Sequence, residues 1–147
     1  MTLDEIKLMW KEDCVVDDIE LDKSSLDVPK LHAKYSELLS DTLVKLKQKQ
    51  FQYNLLIKDK WLWFNGKLDK ETIDKYGWQD DPFDGMKVMK ADMHYFFNSD
   101  EDLTKLKAQE ELLKIQMDFL KECMQNITWR HQTIKNTIDW RKFMAGQ

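Results

Sequence analysis

The feature that most constrains the fold is a long alternation of three- and four-residue steps in the last third of the chain. It runs through Leu103, Leu106, Glu110, Leu113, Met117, Leu120, Met124, Ile127, His131, Ile134, Ile138 and Arg141. Such a heptad seam predicts one long α-helix that packs against other helices. Leu112, Phe119 and Cys123 widen the apolar stripe, which permits contact with the preceding helix and with neighbouring subunits at once. Glu110 and His131 are polar positions in the seam, where they can fix register or oligomeric state.

The rest of the chain is also predicted to be mainly helical. Leu3, Ile6 and Met9 have helical spacing behind Thr2, a residue type that caps helices, and predict a short N-terminal helix. A second, much longer helix is predicted from Asp27-Val28-Pro29 to Asn65-Gly66, with Gln50 as its polar interruption. We therefore expect long helices that form a helical hairpin, divided into an N-terminal region (1–98) and a C-terminal oligomerisation helix (99–147).

The segment between the two long helices has a different character. Residues 66–98 contain three of the four glycines and Pro82, and are polar. Two short apolar-aromatic pieces, MKVM (86–89) and HYFF (94–97), interrupt this stretch. They are compatible with a small β-hairpin inside the connector.

Several classes of protein are disfavoured by what the sequence lacks. The glycines are widely separated and no Gly-Lys-Ser/Thr step exists, so a P-loop is excluded. The three histidines lie in different segments, and the two cysteines, Cys14 and Cys123, are isolated. We therefore expect no enzyme, no cofactor and no metal site. No stretch approaches the ~18 apolar residues of a membrane span, and we expect a soluble intracellular protein.

Charge is strongly segregated along the chain. Residues 43–67 hold six lysines and one acid, whereas residues 1–28 have three lysines against nine acids and residues 68–102 four lysines against ten. The basic segment ends in an aromatic cluster. Lysines neutralise phosphates while flat rings accept unstacked bases of any identity, so this combination is typical of single-stranded nucleic-acid binding. The candidate binding residues are Lys58, Lys60, Trp61, Trp63, Phe64 and Lys67.

A second interpretation of the aromatic cluster stays open. The rings could form the core of a helix end and the lysines a solvated face. Four consecutive large apolar residues, Trp61 to Phe64, point around more than half of a helix, however, and cannot all face one partner. At least one ring is therefore expected at the surface.

Several separated pieces give the chain a resemblance to the UvsY family of recombination mediators from T-even-type bacteriophages. These are the opening MTLDEIKLMWKEDCVVD, the basic-aromatic IKDKWLWFNGK, the connector MKVMKAD and the closing RHQTIKNTIDWRKFMAG. By position, Lys58 and Lys60 match the two basic residues of the family's DNA-binding motif. Here lysine replaces the more usual arginine at the second position, Asp59 lies between them, and tryptophans replace less aromatic neighbours.

The resemblance implies a function in phage recombination, repair and replication. It implies sequence-independent binding of single-stranded DNA and loading of a RecA-like recombinase onto DNA coated by single-strand binding protein, in the cytoplasm of the infected bacterial host. It also implies hexameric or heptameric rings formed through the C-terminal helices. The predicted subunit contacts are Leu113, Met117, Leu120, Met124, Ile127, Ile134 and Ile138. The alternative is a coiled-coil adaptor or structural protein that binds no DNA.

Overall fold

The computed structural model describes all residues from Met1 to Gln147, and they form helices joined by short connections. The α-helices are α1 (Leu3–Asp13), α2 (Leu21–Leu26), α3 (Val28–Phe64), α4 (Lys70–Tyr76), α5 (Met93–Ser99) and α6 (Glu101–Met144), with one 3₁₀ turn at Lys90–Asp92. The prediction of a mainly α protein with two long helices is confirmed. The chain divides into two compact units, a terminal unit (Met1–Val44 and Leu113–Gln147) and a central unit (Lys45–Leu112). This division differs from the predicted one at residue 98.

Local signals at the helix ends account for several boundaries. Thr2 and Glu5 form a capping box, in which each side chain accepts a hydrogen bond from the other residue's backbone N–H. At the end of α3, Gly66 adopts a left-handed conformation (φ 68°) and the Lys67 N–H donates to the Leu62 carbonyl at 2.8 Å. This closing turn stops the helix where the sequence predicts.

The predicted β-hairpin in the connector is wrong. His94 to Phe97 lie in α5, and Met86 to Met89 form no strand. Adjacent rings on a helix point about 100° apart, and this lets Phe96 contact Phe83 while Phe97 contacts Phe64, at 4.8 and 4.9 Å between ring centroids. Aromatic packing against two different partners thus outweighs the weak strand pattern.

In the terminal unit, segments of α1, α3 and α6 share a core. Ile6, Tyr35, Leu120, Cys123 and Ile127 are fully buried there. The α3 and α6 segments run antiparallel, because Tyr35 packs near Leu120–Ile127 whereas the later Thr42 accepts a hydrogen bond from the earlier Gln116 at 2.9 Å.

This packing corrects part of the predicted subunit contact. Leu120, Ile127 and Ile134 are buried inside the terminal unit and are not available to another copy. Leu113, Met117 and Met124 are half-buried, and Ile138 is exposed. His131, predicted in the seam, is exposed, and its ring lies 2.7 Å from the Thr128 carbonyl.

In the central unit, the last half of α3 runs antiparallel to the start of α6. Gln50 donates to Glu110 at 3.3 Å, and the Lys107 ammonium lies 5.4 Å from the centre of the Tyr53 ring. Gln50 and Glu110, the polar residues that interrupt the apolar patterns of α3 and α6, therefore contact each other. Glu110 is buried, as its place in the seam predicts.

Candidate nucleic-acid interface

The outer side of α3 in the central unit presents cations and aromatic rings to solvent. Lys58 and Trp61 are three residues apart and so lie on one helix face. Their exposures are 65 % for the Lys58 side chain and 46 % for Trp61. The Lys67 ammonium, just beyond the helix end, lies over the Trp61 ring at 5.0 Å from its centre. Two lysines thus flank one accessible indole.

The same side of α3 continues towards its N-terminal end. Lys47 and Phe51 are exposed, and helical spacing places them on the face of Lys58 and Trp61. From Lys47 to Trp61 the face extends about 21 Å at 1.5 Å per residue. We call Lys47, Phe51, Lys58, Trp61 and Lys67 the basic-aromatic face. Lys47 and Phe51 are additional to the candidate residues named from the sequence, although their helical spacing relative to Lys58 points to them.

Lys60 points in a different direction. At 100° per residue, two positions are about 200° apart, so Lys58 and Lys60 cannot share a helix face. Lys60 is only 3 % exposed, and its ammonium lies 2.9 Å from both Asp100 and Asp102. It also lies over the rings of Trp78 and Trp63, at 4.0 and 4.8 Å. Lys60 therefore has no surface with which to contact a phosphate.

Trp63 and Phe64 belong to an aromatic cluster inside the central unit. Trp63 packs against Trp78 with 4.8 Å between ring centroids and donates its indole N–H to the Gln79 carbonyl. Phe64 is buried and stacks on Phe83 at 5.4 Å. For these two rings the interpretation as core describes the structure, whereas Trp61 is the exposed ring that the run of four apolar residues requires.

Asp59, the acid between the two lysines, is held by a tyrosine. Its carboxylate accepts a hydrogen bond from the Tyr76 hydroxyl at 2.5 Å and is 19 % exposed. This hydrogen bond, together with burial, raises the pKa of Tyr76 to about 12. The contact directs the Asp59 carboxylate to α4, although its second oxygen remains 3.9 Å from the Lys58 ammonium.

A shallow groove of about 360 Å³ adjoins Lys58 and Trp61. It is lined by Ile57, Lys58, Trp61 and Phe97. The sequence does not indicate Phe97 as a site residue, because no short-range pattern relates a residue of α5 to a residue of α3. The groove adds a second aromatic wall to the basic-aromatic face.

The arrangement favours binding over bond-breaking chemistry. Exposed ammonium groups and flat rings can hold a polyanion with stackable groups. No group of His, Cys, Asp and Glu side chains is arranged to hold a metal ion. No helix combines the length and the apolar character that crossing a bilayer requires.

Comparison with known proteins identifies the family. A family profile described as "Recombination, repair and ssDNA binding protein UvsY" matches residues 9–147. The chain belongs to the UvsY family. No curated protein is significantly similar to it in sequence.

Solved UvsY structures share the fold of this family member. Crystal structures of the bacteriophage T4 recombination mediator protein UvsY match it with TM-scores of 0.84 (lattice type II), 0.82 (type I) and 0.82 (type IV). In the same order, sequence identity is 21, 19 and 21 %, and the match covers 99, 95 and 97 % of this chain and 98, 98 and 99 % of the T4 chain. At this identity the likeness establishes the all-helical fold.

Lys58 and Lys60, the two lysines that the sequence resemblance singles out, have separate environments in this chain. Lys58 lies on the surface and Lys60 lies inside the central unit. The exposed tryptophan and the groove beside it lie next to Lys58 alone. The candidate interface is therefore the basic-aromatic face rather than a pair of neighbouring cations.

Proposed function

We propose that the protein is a non-enzymatic recombination mediator that binds single-stranded DNA through the basic-aromatic face. The observation that carries this proposal is the exposed Trp61 ring between Lys58 and Lys67. Lysines gain binding free energy by releasing counterions from the phosphates, and a stacked base adds ~1–3 kcal/mol per ring. Neither interaction reads base identity. Membership of a family described as binding single-stranded DNA supports the proposal.

The proposed mediator role goes beyond the binding of single-stranded DNA. We infer that the protein promotes loading of a RecA-like recombinase onto DNA coated by single-strand binding protein, in the infected bacterial cell. A strand held along several protein copies would be bent, and this would ease release of the competing protein and expose the strand to the recombinase. The family description, which names recombination and repair, supports this role.

Self-association would make weak individual sites effective. When several subunits hold one strand, each later contact forms at high effective concentration and no new kind of contact is needed. The surface that supports association is an exposed apolar face near the end of α6, formed by Trp129, Trp140, Phe143 and Met144. Patches of this kind on a soluble chain commonly mark protein contacts. We propose that this face, with the exposed Ile138 on the other side of α6, joins subunits into a ring.

Salt dependence of binding tests the proposed function. Fluorescence anisotropy of a labelled thymidine strand of about 30 nucleotides is measured at increasing salt for wild type and for Lys58→Ala/Lys67→Ala. On a log–log plot of the binding constant against salt concentration, wild-type binding should weaken linearly. The double variant should bind at least about tenfold more weakly, and its slope should be smaller by about 1.4 for each subunit that holds the strand, because each phosphate contact on a single strand contributes about 0.7 to the slope.

The control variant carries the same change in charge elsewhere. Lys7→Ala/Lys30→Ala removes two exposed lysines of the terminal unit. Its affinity and salt slope should match those of the wild type. If wild type fails to bind the strand at low salt, or if both double variants weaken binding equally, the basic-aromatic face is not the binding site.

A further inference from the structure

The groove beside Trp61 has walls suited to a flat apolar group. Ile57, Trp61 and Phe97 contribute its apolar surface, and Lys58 is the one charged residue that lines it. Its volume of about 360 Å³ lies at the lower end of the range for small-ligand pockets. The other three residues that line it are one aliphatic and two aromatic side chains. An occupant would therefore be held by contact area and charge outside the groove rather than by hydrogen bonds to the walls.

The wall opposite α3 is supported from behind. Phe97 meets Phe64 in an edge-to-face contact, with 4.9 Å between centroids and 72° between planes. Phe64 is itself buried and stacked between Trp63 and Phe83 at 5.5 and 5.4 Å. On the other side, Ile57 and Trp61 are four residues apart on α3 and form a continuous ridge. The groove is thus present before any ligand arrives.

We propose that this groove takes one unstacked nucleobase of the bound single strand, between Trp61 and Phe97. The adjacent phosphate then lies within reach of Lys58 at the groove edge. This inference rests on the proposed function and assigns a base-binding subsite, with Phe97 as a binding residue, to the same surface. Because the contact surface consists of one aliphatic side chain and two aromatic rings, the subsite tolerates every base and prefers those that stack most strongly.

Charge complementarity selects a nucleic-acid base over an apolar side chain of another protein. An apolar side chain would gain the same contact with Ile57, Trp61 and Phe97 but would bring no anion to Lys58 and Lys67. A nucleotide supplies a flat ring and a phosphate within one unit, and this matches the apolar groove with its neighbouring cations. Occupation by a protein side chain is the competing outcome of the test.

The test pairs a protein change with a DNA change. Phe97→Leu keeps an apolar contact with Phe64 but removes the flat face, and Tyr95→Leu removes an exposed ring of the same helix that does not line the groove. Both are measured against a thymidine strand of about 30 nucleotides and against a strand with the same phosphates but no bases. We expect Phe97→Leu to weaken binding to the thymidine strand about tenfold and Tyr95→Leu to leave it unchanged.

If a base contacts Phe97, the effect of Phe97→Leu should depend on whether the strand carries bases. On the strand without bases, wild type and Phe97→Leu should bind equally, because the interaction that the variant lacks is already absent. If Phe97→Leu fails to fold by circular dichroism, Trp61→Leu tests the other wall at an exposed position and should show the same coupling.

The results that would reject the base-binding subsite differ from those that would reject DNA binding. Salt-dependent binding by wild type that Phe97→Leu and Trp61→Leu leave unchanged, or weaken equally on both strands, would overturn the base-binding subsite and leave the proposed function standing. The absence of salt-dependent binding by wild type would reject both. Groove variants that bind DNA normally but lose a protein partner would assign the groove to that partner.

Discussion

The Lys60 ammonium lies 2.9 Å from the Asp100 carboxylate, which joins the last turns of α3 to the residue that precedes α6. Asp102 contributes a second ion pair at the same distance, and the Trp78 ring covers the ammonium. Asp100 also caps α6, since its side chain accepts a hydrogen bond from the Leu103 N–H at 3.0 Å. Lys60 therefore positions the helix end that carries Lys58 and Trp61.

Replacement of Lys60 should destabilise the protein far more than replacement of Lys58. Lys60→Met removes a buried cation and leaves two carboxylates without it, and we expect a loss of about 3 kcal/mol in the free energy of unfolding. Lys58→Met changes an exposed side chain and should cost less than about 0.5 kcal/mol. Urea denaturation of the two variants provides the comparison.

DNA binding should also distinguish Lys58 from Lys60. At temperatures where both variants are folded, Lys58→Met should reduce the salt slope of DNA binding and Lys60→Met should not, because only Lys58 is exposed to a phosphate. Equal stabilities combined with equal losses of salt slope would show that Lys60 contacts DNA directly.

Helical periodicity predicts where the long helices lie in the sequence, but it does not predict which residues they pack against. The extents of α1, α3 and α6 follow from caps, Gly66 and apolar spacing, all of which are local. The seam of α6 also predicts which side is apolar, but it does not say whether Leu120 or Ile127 meets the same chain or another copy. In the structure their partners are residues of α1 and α3. A repeat pattern encodes burial, and the partner is decided by the whole fold.

At the candidate site, too, helical spacing predicts some features, whereas others depend on residues that are distant in sequence. Exposure of a ring among Trp61 to Phe64 could be predicted, because consecutive residues surround the helix. Which ring is exposed depends on Phe83 and Phe97, which are distant in sequence and cover Phe64. The opposite directions of Lys58 and Lys60 follow from spacing alone. That Lys60 is the buried member depends on the carboxylates of Asp100 and Asp102.

Substitution at the C-terminal apolar face should reduce the oligomeric state. Trp140 and Phe143 are exposed and stack on each other with 5.7 Å between centroids. Trp140→Ser/Phe143→Ser should weaken subunit association about 100-fold, if each ring contributes about 1.4 kcal/mol to the interface. Analytical ultracentrifugation across a dilution series measures the change.

Point substitutions are preferable to truncation for this purpose. A chain cut near Lys121 would also lose Cys123, Ile127 and Ile134, which are buried in the terminal unit. Ile19→Ser, which alters another highly exposed apolar residue, serves as the control and should retain the wild-type mass. An unchanged mass for the double variant would exclude this face from the subunit contact.

The two cysteines should differ sharply in reactivity. Cys14 is exposed, whereas Cys123 is buried in the core of the terminal unit, and burial raises the pKa of its thiol to about 11. At neutral pH, a thiol reagent should modify Cys14→Ser, which retains only Cys123, more than about 1000-fold more slowly than Cys123→Ser, because reaction requires opening of the core. Comparable rates would contradict the packing of Ile6 and Tyr35 over Cys123.

The hydrogen bond between Tyr76 and Asp59 gives a pH-dependent contribution to stability. Since the pKa of Tyr76 is raised from 10.0 to about 12 in the folded protein, the contribution is complete below pH 10 and is lost as pH rises through about 12. Asp59→Asn should return the pKa towards 10. Phenolate absorbance, taken as the difference between each protein and its Tyr76→Phe derivative, isolates this group. A pKa unchanged by Asp59→Asn would mean that the hydrogen bond is absent in solution.

DNA crosslinks can show whether a single strand lies against Trp61 and Phe97. A single strand that carries a photoreactive thymine analogue is bound at low salt and irradiated, and the modified peptides are identified by mass spectrometry. We expect adducts on the peptides that contain Trp61 and Phe97, with smaller amounts at Phe51, and we expect the adducts to disappear when salt dissociates the complex. Adducts confined to α1 or to the C-terminal half of α6, with Trp61 and Phe97 unmodified, would show that the basic-aromatic face does not bind the strand.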